Sequence, residues 1–162
     1  DLERTFGEMR RVLAPGGLLM FTTFGPDTLR ELRVAWAQAD GHGHVSPFLD
    51  MHDVGDALVR AGFEGPVMDA EQLTLTYPDL DGLMKDLRGL GARNATRERS
   101  RGLTGKSRWA AMRAAYEVQR QEGRLPATYE VVYGHAWAPL HRVRADGAVT
   151  LPLSAIGRRP KA

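Results

Sequence analysis

Apolar residues in the opening segment fall at Leu2, Phe6, Met9 and Leu13, with charged residues elsewhere in the same stretch. That i, i+4, i+7, i+11 spacing puts them on one face of a helix. Pro15-Gly16-Gly17 ends it, because proline cannot continue a helix and glycine supplies a left-handed turn. The next run, Leu18 to Phe24, is short and nearly all apolar. Such a run predicts a strand covered on both faces, as in a parallel α/β sheet. Pro26 then suits the first turn of a helix whose stripe is Leu29, Leu32 and Trp36. Residues 39–47 are rich in glycine and histidine and predict a loop. Asp50 reads as the cap of a further helix, with Val54, Leu58 and Ala61 facing inward and Gly62 as its stop.

The second half repeats this grammar. Leu73-Thr74-Leu75-Thr76-Tyr77 alternates apolar and polar positions and predicts a strand with one wetter face. Pro78 ends it and Asp79 caps a helix with the stripe Leu80, Leu83, Met84, Leu87 and Leu90, closed by Gly91. Residues 92–106 are polar, Arg-rich and aperiodic, which predicts a loop. Trp109, Met112 and Tyr116 mark one more helix, ending near Gly123. Residues 127–137 alternate, with Tyr129, Val131, Tyr133 and His135 on one side, and predict the last long strand. After Gly147 come a weak apolar stretch and a basic tail. Helices interleaved with strands define an α/β fold, with no linker between two domains and no internal repeat.

Composition narrows the chemistry. Of 162 residues, 43% are hydrophobic and 26% charged, which excludes a disordered or collagen-like chain. There is no cysteine, hence no disulfide framework, no thiolate nucleophile and no Cys-ligated metal, a usage that fits a reducing cytoplasm. The net charge of +2 does not by itself imply nucleic acid, and no apolar run reaches the roughly 18 residues of a membrane span. The chain opens without Met and inside a helical pattern, which reads as a piece of a longer protein.

The short motifs are weak. Gly105-Lys106-Ser107 looks like the tail of a phosphate-binding loop, but a charged segment stands where a buried strand should feed it. Gly41-His42-Gly43 lacks both the preceding strand and the third glycine of a dinucleotide fingerprint. His42, His44 and His52 match no zinc spacing, so no metal is expected, and no nucleophile–base–acid set can be argued from spacing. Arg93, Arg97, Arg99, Arg101, Lys106 and Arg108 form the densest basic cluster. Without interleaved aromatics it suits an acidic protein or an anionic ligand better than nucleic acid.

A helix, then Arg11-Val12-Leu13-Ala14-Pro15-Gly16-Gly17, then an apolar strand resembles the late part of class I S-adenosylmethionine-dependent methyltransferases. Phe24-Gly25-Pro26-Asp27-Thr28-Leu29-Arg30-Glu31-Leu32, Phe48-Leu49-Asp50-Met51-His52-Asp53 and Leu73-Thr74-Leu75-Thr76-Tyr77-Pro78 narrow the resemblance. So do Leu87-Arg88-Gly89-Leu90-Gly91-Ala92-Arg93-Asn94, Arg101-Gly102-Leu103-Thr104-Gly105 and Thr128-Tyr129-Glu130-Val131-Val132-Tyr133-Gly134. Together they are similar to the malonyl-acyl-carrier-protein O-methyltransferases of biotin synthesis, from the first residue to about Trp137. The Gly-rich cofactor loop and the ribose-binding acid of that family have no counterpart here. The resemblance therefore implies the C-terminal portion of a Rossmann-like methyltransferase sheet, residues 1–162, with residues 79–123 as an inserted helical lid. It also implies a sheet in which the last strand lies between Leu18–Phe24 and Leu73–Tyr77, antiparallel to both.

The implied reaction moves a methyl group from S-adenosylmethionine to the free carboxylate of a malonyl thioester, carried on acyl carrier protein or coenzyme A. The chain alone is expected to be inactive. An anionic substrate calls for a cationic clamp, for which Arg88 and Arg93 are the candidates, with His52, Asn94 and Tyr133 as further polar pocket groups. Thr23 and Phe24 end the apolar strand and should border the cofactor, since ligands of open α/β sheets bind at the carboxyl ends of strands. Neither a membrane nor nucleic acid is an expected partner. Two other readings stay open: methylation of another small acid or a quinone precursor, and a non-catalytic binding module.

Overall fold

The structure, a computed structural model, describes residues 1–92, 99 and 102–140, together with the backbone of residues 142–143 and 149–150. In chain order the elements are α1 (Leu2–Val12), β1 (Leu18–Phe24), α2 (Arg30–Ala39), α3 (Met51–Arg60), β2 (Glu64–Tyr77), α4 (Leu80–Gly89), α5 (Lys106–Glu117) and β3 (Leu125–Trp137), then the short pair β4 (Arg142–Val143) and β5 (Val149–Thr150). The three long strands form one sheet in the order β1-β3-β2. Near one end of β1, Gly16 N–H donates to Ala138 C=O; at the other, Gly25 N–H donates to Glu130 C=O. Rising numbers on β1 meet falling numbers on β3, so the pair is antiparallel. Strand β3 is thus the central one of the three, the order that the resemblance implies. The chain divides into two compact units, residues 1–21, 52–68 and 133–162, and residues 22–51 and 69–132.

In the first unit, Asp1 caps α1 by accepting from Arg4 N–H at 3.2 Å. The helix buries Phe6, which meets Phe21 at a ring-centroid distance of 5.3 Å and Phe63 at 6.5 Å. Val54, Ala57 and Leu58 of α3 and Ala136 of β3 complete that core. Helix α3 stops at Gly62, which takes a φ of +81°, and Phe63 N–H returns to Leu58 C=O. Gly134 is required for space: a Cβ there would stand 2.3 Å from the ring of Phe21.

The second unit has the larger core. Leu32, Ala35 and Trp36 of α2, Leu80, Leu83 and Leu87 of α4, and Met112, Ala115 and Tyr116 of α5 pack with Tyr77, Leu125, Ala127 and Tyr129 from the strands. The phenol of buried Tyr116 donates to Pro126 C=O at 2.7 Å. The Glu31 carboxylate, only 7% exposed, accepts from Thr128 N–H at 2.9 Å and from the Thr128 hydroxyl. Burying that charge without such donors would be costly.

Three sequence expectations change. Strand β1 is not covered on both faces: Leu19 and Phe21 pack on the first core, while Leu18 (45% exposed) and Met20 (72%) face solvent. Strand β2 starts at Glu64 rather than Leu73. Its Gly65, Pro66 and the polar stretch from Asp69 to Gln72 break the alternation, and a strand at the edge of a sheet tolerates proline and charge that a central one would not. Helix α2 starts at Arg30 rather than Pro26, because Leu29 takes a left-handed conformation, φ +56° and ψ 34°. Most of the Arg-rich segment 92–106 and nearly all of the tail lie outside the described residues.

The exposed Leu18 and Met20 sit on an edge strand, which is a template for association. The 162-residue chain on its own should sediment as a mixture of monomer and larger species as concentration rises, and Met20→Lys should shift it toward monomer. Identical, concentration-independent sedimentation of the two would contradict this.

Candidate functional site

The carboxyl end of β1 opens onto a groove in the second unit. Phe24, the last residue of the strand, stands edge-on to Phe48 at 5.8 Å and tilted against Tyr129 at 6.0 Å. Beside them Leu73 and Leu75 of β2, Val131 of β3 and the outer turns of α4 enclose a volume of about 600 Å³. The strand period of two explains the lining: Leu73, Leu75 and Tyr77 share one face of β2, as Tyr129 and Val131 share one face of β3. The groove is apolar except where Lys85, Asp86, Tyr77 and Tyr129 meet it. Burial raises the Tyr77 phenol above its ordinary pKa of 10.0, and the adjoining Asp86 carboxylate adds to this, while Tyr129 acts the other way. Tyr129 is also raised, first by burial and then by Tyr77 and Asp86. Both hydroxyls are held as neutral hydrogen-bonding groups against an apolar wall.

The chain between β1 and α2 is tied down on all sides. Glu130 C=O accepts from Gly25 N–H at 2.9 Å, and a Glu130 carboxylate oxygen accepts from Asp27 N–H at 2.8 Å. Arg33 donates to Pro26 C=O at 2.8 Å and to Thr28 C=O at 3.1 Å, while Gln72 donates to the Asp27 carboxylate at 2.7 Å. The turn leads into left-handed Leu29, a conformation that costs a non-glycine residue about 1–3 kcal/mol and is sustained by the contacts around it. Strained backbone of this kind clusters at functional sites.

A second hollow in the same unit, about 590 Å³, is lined by Trp36, Asp40, His42 and His44 among others. The His44 ring stacks on Trp36 at 3.6 Å and 7°, and its Nε2 lies 2.8 Å from the Asp40 carboxylate. Arg108 reaches the same carboxylate at 3.5 Å. Burial works to raise the Asp40 pKa, but the His42 N–H and the nearby His44 outweigh it, so the carboxyl lies below its ordinary 3.8. Among the described residues no group of three or more His, Cys, Asp or Glu could hold a metal ion.

The residues singled out from the sequence are distributed as follows. Phe24 lines the groove, and Thr23 precedes it on the opposite face of β1. Arg88, in the last turn of α4, donates through Nε to Met84 C=O of its own helix at 3.0 Å; Lys85, Asp86 and Gly89 line the groove instead. His52, in the first turn of α3, and Tyr133, 41% exposed on β3, belong to the first unit. Arg93 and Asn94 lie outside the described residues. Sequence reasoning missed Tyr77, Asp86, Tyr129 and Glu130 as a group. The alternation around each tyrosine was visible, but which strand neighbours which is a long-range fact that alternation does not carry.

No family model matches the chain. Curated relatives do. The chain is 56% identical over 154 residues to a protein of Gallionella capsiferriformans, covering 95% of this chain and 53% of that one. It is 58% identical over 142 residues to one of Nitrosospira multiformis, with 88% and 46% covered, and 55% identical over 163 residues to one of a Methylovorus species, with 100% and 53% covered. All three relatives are O-methyltransferases. Each bears the name malonyl-[acyl-carrier protein] O-methyltransferase, and this chain is homologous to about half of such a protein. It spans about half the length of the curated relatives it matches.

Two pH limits follow. Tyr77, Tyr116 and Tyr129 all have raised pKa values, so the fold favours their neutral forms. Stability should be intact below the ordinary phenol pKa of 10.0 and fall as pH rises beyond it. Absorbance at the tyrosinate band should show delayed ionisation, and Tyr129→Phe should remove one delayed step. Asp40 has the opposite sign. Its contribution is present above its ordinary 3.8 and is lost as pH falls through the lower folded value. Asp40→Asn should flatten the acid limb of an unfolding titration, and an unchanged limb would show that Asp40 contributes nothing there.

Proposed function

We propose that the chain is the C-terminal portion of an S-adenosylmethionine-dependent methyltransferase that esterifies the free carboxylate of a malonyl thioester on acyl carrier protein, an early step toward biotin. The observation that carries this reading is identity above 50% across nearly the whole chain with proteins of that name. On this reading the sheet β1-β3-β2 is one flank of a Rossmann-like methyltransferase sheet, and residues 79–123 form its helical lid. Its cysteine-free composition fits work in a reducing cytoplasm. Among the described residues no helix is long and apolar enough to cross a membrane.

The lining of the groove suits one side of a sulfonium-bearing cofactor, because Phe24 and Tyr129 offer aromatic faces, which attract cations. When bound, S-adenosylmethionine supplies an electrophilic methyl group, which a carboxylate oxygen accepts while the carbon–sulfur bonding pair stays on sulfur and no proton moves. A malonyl carboxylate is already ionised at neutral pH, so the chain's residues need supply no general base. Their work is alignment and exclusion of water, which together contribute up to about 7–11 kcal/mol when the geometry is ideal. Phe24, Leu73 and Leu75 give the groove an apolar wall, and Thr23 borders the cofactor at the end of β1. Arg88 or Arg93 anchors the substrate's negative charge, with Asn94 as a further polar contact. Arg99 and Lys106 belong to the basic segment that steers the acidic carrier protein, while Arg108 is turned toward Asp40.

The test uses a full-length chain containing this segment, S-adenosylmethionine, and malonyl thioesters of acyl carrier protein and of coenzyme A, with methyl ester read by mass spectrometry. Ester on the carrier-protein substrate is the expected result; none on either substrate would overturn the reading. Arg→Ala at the true anchor should lower kcat/KM by about 3 kcal/mol equivalent, as when one partner of a buried charge pair is removed. Unchanged kinetics at both Arg88 and Arg93 would remove them from the site.

A further inference from the structure

We infer that Glu130 is a positioning residue, holding the turn after β1 so that Phe24 and the groove mouth keep the geometry methyl transfer requires; this rests on the methyltransferase reading above. Glu130 meets the turn at four points. Its C=O accepts from Gly25 N–H at 2.9 Å, and its carboxylate accepts from Asp27 N–H at 2.8 Å. Its N–H donates to the Thr28 hydroxyl at 3.1 Å, and that hydroxyl lies 3.1 Å from the Glu130 C=O. Three of these contacts use the backbone and would form with any side chain on β3. The carboxylate contact is the one that depends on residue type.

Gly25 is the complement of that carboxylate. Gly25 is buried, and a Cβ on it would stand 2.3 Å from the Glu130 carboxyl carbon and 2.5 Å from the oxygen that accepts from Asp27. Its φ is not in the left-handed region, so the requirement for glycine here is space for Glu130 rather than backbone conformation. The glycine leaves the room, the carboxylate fills it, and Asp27 N–H is satisfied. Phe24 adjoins Gly25 directly and packs at a tilt against Tyr129, the neighbour of Glu130. A displaced carboxylate therefore loosens the backbone next to an aromatic wall of the groove. A shift of about 1 Å in a positioning element can cost on the order of a hundredfold in rate.

The experiment compares wild type, Glu130→Gln, Glu130→Ala, Gly25→Ala and the double variant Gly25→Ala/Glu130→Ala in the full-length protein. Four readouts are taken: kcat, KM for the malonyl carrier protein, thermal midpoint, and amide hydrogen exchange at Asp27. Glutamine keeps the acceptor and should stay near wild type in all four. Glu130→Ala and Gly25→Ala remove the same contact by different routes. Each should lower kcat on the order of a hundredfold with a smaller change in KM, and speed exchange at Asp27. The double variant should be no worse than either single one, because both act on one interaction. A loss of thermal midpoint with kcat of the folded fraction unchanged would overturn the proposal, as would Glu130→Gln behaving like Glu130→Ala. If wild type forms no ester, the functional reading fails and the catalytic role of Glu130 fails with it, whereas normal Asp27 exchange in both alanine variants would refute the hold on the turn itself.

Discussion

The whole structure depends on β3 being paired along both edges. Among the described residues it is the one long strand with a neighbour on each side, and its residues enter both hydrophobic clusters, Leu125, Ala127 and Tyr129 in one and Ala136 in the other. A central strand has little room for proline, and β3 carries its one proline, Pro126, near its start, with the apolar run Val131-Val132-Tyr133 in its middle. Two carboxylates find their partners through it: buried Glu31 accepts from Thr128, and half-buried Glu130 accepts from Asp27 N–H. The strand is therefore at once the spine of the sheet and the holder of the turn that ends β1.

The sequence made much of this legible, and the reasons for its failures are physical. Helical stripes are local patterns, and the structure buries Leu80, Leu83 and Leu87 of one and Val54 and Leu58 of another, while Leu90, just past the end of α4, stands exposed. Strand β1 was legible as a strand, but two-sided burial was not, because an apolar run reports affinity for cover rather than the presence of it. Strand β2 was half-legible: Leu73 to Tyr77 alternates, while Asp69, Glu71 and Gln72 hide the rest. An edge position relaxes the rule that the eye relies on.

The site was less legible than the fold. Phe24 could be placed from the general rule about carboxyl ends of strands, and it does line the groove. Arg88 was singled out for its charge, yet its guanidinium is engaged on its own helix, while Lys85 and Asp86, which carry no motif, line the groove. Glu130 was visible only as one letter in a strand. Its partner Gly25 was visible as a helix-start signal, and nothing local links two residues so distant in the chain. Complementarity between a missing side chain and a present one is a property of the folded state.

That distance has a consequence for how the protein is made. The Asp27–Glu130 contact spans 103 residues, and the Thr128–Glu31 contact spans 97. Strand β1 leaves the ribosome before α2, α3, β2, α4 and α5, and its partner β3 follows all of them. Until then the ladder between β1 and β3 cannot form, and its closure joins elements far apart in sequence, which is slow for non-local β pairing. Between those two events the edge of β1 that β3 will cover stays open on a growing chain, and the yield in a cell should follow the supply of holding chaperones more closely than the strength of the finished core.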